Sequence, residues 1–251
     1  VASPFLTSIQ ENAVKPIEPV FLDFKKDMSQ LTAKSDIPVL YKQNTTNDLF
    51  QLIYVFDMGN NNDKALGTAF DYLEYLGTSD MTPEELKSEF YRLACTFYVS
   101  PGNERTYVVL SGLNENMPAA MQLFEKLLAD AQVNKEAYDN LVGDILKARA
   151  DAKLNQGQNF SRLMNYAMYG PKSPATNLLT EAELASMNPQ ELVDRIHNQN
   201  NYKHRILYYG PSSSKDLLAT IDQYHQVPAT LKDIPAGNEF SYLETPATKV
   251  L

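Results

Sequence analysis

Short runs of apolar, aromatic and β-branched residues mark the first quarter of the chain: Val20-Phe21-Leu22-Asp23-Phe24, Ile37 to Tyr41, and Leu49 to Met58. Such runs predict strands, the third closed by Gly59. Asn60-Asn61-Asn62-Asp63 then reads as a turn feeding a helix over about Asp63 to Leu76, with Asp63 as N-cap and Gly77 at its C-terminal end. Thr82-Pro83-Glu84-Glu85 is a capping box with Pro at the first helical position, and predicts a second helix from Pro83 to about Cys95. Thr96 to Ser100 and Arg105 to Gly112 flank Pro101-Gly102-Asn103-Glu104, the pattern of an antiparallel hairpin.

From Pro118 the periodicity is helical, over Pro118 to Ala131, Lys135 to about Asn155, and Phe160 to Tyr169, where Gly170-Pro171 stops it. Thr180-Glu181-Ala182-Glu183 and Asn188-Pro189-Gln190-Glu191 open two short helices. Arg205 to Gly210 returns as a strand, and Ser214 to Tyr224 is a last helix. Strands early, helices in the middle and a late strand predict an α+β fold with a mixed or antiparallel sheet. Prolines at 4, 16, 19 and 38 and again at 228, 235 and 246 favour extended arms at both ends. The expected organisation is an arm over 1–18, a domain over 19–225, and a C-terminal arm over 226–251 that leads toward a following domain, with Glu239 to Glu244 as a candidate strand.

Composition narrows the function classes. A hydrophobic share of 43% is ample for a packed core, whereas a net charge of -9 without a Lys/Arg cluster argues against a nucleic-acid partner. No apolar run approaches the length of a membrane span. The lone Cys95, between Leu93 and Phe97, reads as a buried thiol rather than a nucleophile. His197, His204 and His225 fall on separate elements and read as solvated or satisfied side chains rather than a zinc cluster. No Gly-rich phosphate loop and no Gly-x-Ser-x-Gly occurs.

One stretch carries more. Gly67-Thr68-Ala69-Phe70-Asp71-Tyr72-Leu73-Glu74-Tyr75-Leu76-Gly77-Thr78, followed by Met81-Thr82-Pro83-Glu84-Glu85-Leu86, resembles the active-site helix and turn of the insulinase/pitrilysin peptidases, the inverzincins. Their helix carries H-x-x-E-H ahead of a Gly-Thr turn. Anchored on Gly77-Thr78, the first His falls on Thr68, the Glu on Asp71 and the second His on Tyr72. A hydroxyl and a phenol are poor substitutes for two neutral imidazoles as zinc ligands. The third family ligand, a Glu on a helix resembling Asn140 to Lys153, has Asp144 as its nearest carboxylate here.

The resemblance extends over about residues 19 to 225. Val108 to Leu113, Leu123 to Leu128, Tyr169-Gly170-Pro171, Leu179 to Leu184 and Tyr208-Tyr209-Gly210 resemble, in order, later elements of such peptidase halves. It implies a two-layer α+β unit that is a non-catalytic half of a zinc metallopeptidase. Its implied partner is a zinc-bearing half, in the same polypeptide or a second subunit, with which it encloses and positions a peptide substrate. Zinc is expected in that partner and no cofactor in this chain. Active members hold substrate with an Arg and a Tyr from the non-zinc side, and Arg92 and Tyr98 are the nearest match. A periplasmic or other extracytoplasmic site is favoured by that resemblance. Two further readings are a scaffold subunit of the same fold without a proteolytic partner, and an active enzyme using Asp71 and Asp144 with unusual ligands.

Overall fold

The computed structural model describes residues 3–12, 18–19, 21 and 23–244. In chain order its elements are α1 (Pro4–Gln10), α2 (Phe24–Asp27), β1 (Ser29–Ala33), β2 (Ile37–Gln43), β3 (Leu49–Phe56), α3 (Leu66–Leu73), α4 (Pro83–Arg92), β4 (Cys95–Pro101) and β5 (Thr106–Leu113). There follow α5 (Met117–Asp130), α6 (Lys135–Leu154), α7 (Gln156–Tyr169), α8 (Glu181–Ser186), α9 (Gln190–Asn198), β6 (Arg205–Gly210) and α10 (Ser214–Tyr224).

The six strands form one sheet in the order β1-β2-β6-β3-β5-β4. Only β2 and β6 run parallel; every other neighbouring pair is antiparallel. Period-two alternation sends Phe50, Leu52, Tyr54 and Phe56 of β3 toward one face. That face meets the apolar stripes of the helices, including Met121, Phe124 and Leu128 of α5 and Leu192, Val193 and Ile196 of α9. Full burial of a Leu or Ile side chain contributes about 1.5–3 kcal/mol, so the many apolar side chains packed between the sheet and these helices are a main source of the fold's stability. The result is a two-layer α+β sandwich with a mixed sheet, as the order of elements predicts.

Local chemistry explains most element ends. Thr82 and Glu85 close their capping box at the start of α4, and Thr180 and Glu183 do the same for α8. Four expectations need correction, the last of them in the C-terminal arm. Asp63 is not the N-cap of α3: its Oδ1 accepts from Ala65 N at 3.0 Å and its Oδ2 binds the Arg195 guanidinium at 2.7 Å, so it braces the turn while the helix begins at Leu66 and ends at Leu73. Phe24 opens a helical turn capped by Asp23 instead of ending a strand, while Val20 and Leu22 lie outside the described residues. The N-terminal arm contains α1, because Ser3 caps it and Pro4 at N1 starts a helix rather than breaking one.

After α10 the chain runs back over the domain in extended form. Lys232 exchanges backbone hydrogen bonds with Asn201 and Lys203, and Asn238 N donates to Asn61 O at 2.7 Å. Leu243 N donates to Met168 O at 2.7 Å, and Tyr242 stacks on Tyr169 with ring centres 4.9 Å apart. Glu239 to Glu244 forms no ladder and is not a strand.

Candidate functional site

Helix α3 buries Leu66, Ala69, Phe70, Tyr72 and Leu73 and leaves Thr68 half-buried and Asp71 exposed. The three positions matched to the zinc motif therefore share one short helix but have different environments. Tyr72 is fully buried. Its hydroxyl donates to Asn134 O at 2.6 Å and accepts from Asn134 N at 2.9 Å, locking α3 to the residue that caps α6. Burial pushes the Tyr72 phenol above its ordinary pKa, outweighing the Asn134 bond, with the Asp139 charge adding to the rise. Desolvation, and after it the like charge of Glu74, raises the Asp71 carboxyl. Asp144 is exposed on α6.

This donor set does not fit a zinc ion. Zinc takes imidazole nitrogen, thiolate or carboxylate, whereas the position matched to the second His holds the phenol of Tyr72 with both its donor and acceptor engaged by backbone. Among the described residues no three His, Cys, Asp or Glu side chains are grouped as a metal site needs.

Arg92 and Tyr98 are held apart in role. Arg92 ends α4 and turns back on its own helix, its Nε and Nη2 2.9 and 2.8 Å from Glu89 Oε2. Tyr98 lies on β4, the sheet's edge strand, opposite Val109 of β5. The register continues from Val109 to Ile53, from Ile53 to Leu207 and from Leu207 to Leu40. These residues have the parity opposite to the core-facing set, so Tyr98, Val109, Ile53, Leu207 and Leu40 make an apolar row across five strands on the face away from the helices. Tyr98 also borders a hollow of about 400 Å³ between β4, α3 and α4, together with Glu74, Lys87 and Tyr91. The sequence singled out Tyr98 but not the row, because the row exists only once the strand order is known.

No family model matches the chain, and no curated protein does. Solved structures do. The periplasmic protease PqqL from Escherichia coli superposes with a TM-score of 0.75 at 15% identity, covering 96% of this chain and 30% of that one. The inactive domain of an M16 peptidase from Pseudomonas fluorescens superposes at 0.69 with 17% identity, over 88% and 54% of the two chains. A mutant of the ferredoxin protease FusC, in complex with Arabidopsis ferredoxin, superposes at 0.73 with 11% identity, over 93% and 27%. The fold is that of an M16-type peptidase half. The chain spans 30% of the length of PqqL, 27% of that of FusC and about half that of the inactive domain's chain.

Within this M16-type fold lies a polar cluster that composition gave no hint of. Glu125 of α5 is 1% exposed and takes part in four hydrogen bonds. Tyr54 Oη and His225 Nδ1 reach its Oε1 at 2.9 and 2.6 Å, and Asn200 Nδ2 and Gln226 N reach its Oε2 at 2.9 and 3.1 Å. His225 Nε2 meets His204 Nε2 at 2.8 Å, and His204 Nδ1 donates to Tyr202 O at 2.7 Å. The two histidines read from sequence as satisfied are satisfied, and by each other. His197 is separate, with Nε2 3.0 Å from Ala131 O. Burial first, then the neighbouring His225, drop the His204 pKa to about 4.

Proposed function

We propose that this chain is a non-catalytic half of a zinc metallopeptidase, walling the substrate chamber and positioning peptide for a separate zinc-bearing half. The observation that carries the reading is the Tyr72 phenol, tied on both sides to the Asn134 backbone at the place where the family's second His stands. Reverting this position to imidazole would also unpin α6, so the loss is built into the packing of the helix layer. The wall is supplied by the apolar row from Tyr98 to Leu40 and by the outer edge of β4, which no strand among the described residues covers and which can take an extended peptide as an added strand. Tyr98, at the junction of row and edge, is the substrate-contacting residue in this reading. Arg92 is a weaker one, since substrate must displace Glu89 from it.

The partner is a zinc-bearing half, elsewhere in the same polypeptide or in a second subunit, and the ligand is a peptide. The likeness to periplasmic PqqL supports an extracytoplasmic location. Among the described residues no helix is long and apolar enough to cross a membrane.

Elemental analysis of the purified chain after chelation, zinc re-addition and desalting tests the metal part of the reading. Zinc near zero is expected, and one tightly held zinc per chain overturns it. For the wall, peptide turnover by the assembled halves is expected to lose affinity, seen as a raised KM, on Tyr98→Ala. An unchanged KM removes Tyr98 from the substrate path.

A further inference from the structure

Helices α6 and α7 and the turn at Pro174–Thr176 line a hollow of about 700 Å³, within the range of ligand pockets. Leu146, Ala150, Tyr166 and Leu178 give it an apolar lining. Its charged groups are Arg149 and Lys153 from α6, Arg162 from α7, and a single carboxylate, Glu181. Among the described residues none of the three cations is within ion-pair distance of an acid, although the chain as a whole carries -9.

That arrangement is costly by itself. Arg149 and Lys153 are four apart on one helix face, where like charges repel by a few tenths of a kcal/mol, and Arg162 adds a third charge from the facing helix. The negative end of α6 offsets Lys153. Nothing comparable offsets Arg149 or Arg162. In a strongly acidic chain, three cations converging on an apolar hollow, two of them offset by neither an ion pair nor a helix end, form a surface complementary to a ligand that is both anionic and apolar.

We propose that this hollow docks an acidic peptide segment carrying an apolar side chain. The side chain enters between Tyr166 and Leu178, and flanking carboxylates pair with Arg149 and Arg162, whose planar guanidinium groups suit carboxylates better than ammonium does. The site lies on elements other than α3 and β4, so it stands independently of the reading of those elements.

Fluorescence anisotropy on the purified chain tests it with three labelled peptides: alternating Glu and Leu, alternating Lys and Leu, and alternating Glu and Ser. The Glu-Leu peptide is expected to bind saturably and to weaken as salt rises, with the Lys-Leu peptide silent and the Glu-Ser peptide at least about tenfold weaker. The double variant Arg149→Ala, Arg162→Ala should weaken Glu-Leu binding by at least about tenfold, while Lys215→Ala, Lys232→Ala, which removes the same charge elsewhere, leaves it unchanged. Leu178→Trp, at an exposed position, fills the hollow and should abolish binding without disturbing the fold, so the proposal survives a double variant that misfolds. Absence of saturable binding, equal binding of the Lys-Leu peptide, or equal losses in the Lys215, Lys232 control overturns it.

Discussion

His225 Nε2 and His204 Nε2 are 2.8 Å apart with their rings nearly perpendicular, at 89°. The outer bonds fix the direction of this one. His204 Nδ1 faces a carbonyl oxygen and must donate, so a neutral His204 has only a lone pair at Nε2, and His225 Nε2 is the donor. Tyr54, Asn200 and Gln226 all donate to Glu125, leaving one proton between Glu125 Oε1 and His225 Nδ1. Whichever of the two holds it, the pair is neutral overall. That neutrality is what allows two titratable groups to sit at 1% and 0% exposure.

A pH dependence follows from His204. Its folded pKa, about 4, lies below the unfolded value near 6.5, so the unfolded chain binds the extra proton between those values. Stability is therefore fully present above pH 6.5 and is lost as pH falls toward 4, by about 2–3 kcal/mol at pH 4.5. Urea unfolding at pH 7.5 and 4.5 measures it. His204→Gln should reduce the difference between the two pH values by roughly that amount; equal pH sensitivity in both proteins would show that other groups govern acid unfolding.

Glu125→Gln tests the hydrogen-bond count. Two donors converge on each carboxylate oxygen, and an amide offers only one oxygen. Turned one way its NH₂ faces two donors, Asn200 Nδ2 and Gln226 N; turned the other way it replaces the acceptor that the buried Tyr54 hydroxyl proton needs. We expect a loss of about 3 kcal/mol in unfolding free energy, comparable to breaking a buried pair. A change under about 0.5 kcal/mol would mean that the network rearranges freely around the amide.

The legible parts of this fold were those written in local chemistry. The capping boxes at Thr82 and Thr180 opened helices where expected, and β6 and α10 fell on Arg205–Gly210 and Ser214–Tyr224. β1 was missed because an edge strand reading Ser-Gln-Leu-Thr-Ala buries only Ala33 and shows no alternation. The bond that pins Tyr72 could not be read from its own helix, because its partner lies 62 residues on. Glu125 meets His225 across 100 residues. One signal for it did exist: Glu125 lies on the apolar stripe between Met121 and Leu128, a place where an unpaired carboxylate is not tolerated.

The Gly77 turn is predicted to be intolerant of any side chain. A Cβ there would sit 2.3 Å from Met81 O, a backbone atom that also accepts the Thr78 N hydrogen bond at 2.8 Å. Gly77→Ala must push the Thr78 to Met81 turn open, and should cost about 1–3 kcal/mol. A melting temperature within a degree of the parent would show that the turn yields without strain.

Tyr72→Phe isolates the contribution of the phenol. The substitution keeps the ring against Tyr138, 5.8 Å away edge to face, and removes only the oxygen. Asn134 N and O then lose their partners at the point where Asn134 caps α6 through the bond from Ala137 N to its side chain. Two part-buried backbone groups left without a partner predict a loss of about 1–3 kcal/mol. Hydrogen exchange should localise it, with amides in the first turn of α6 losing protection before those of β3 and β5. If exchange accelerates uniformly, or the variant is as stable as the parent, the phenol is a passive filler of the helix layer rather than the tie that joins α3 to α6.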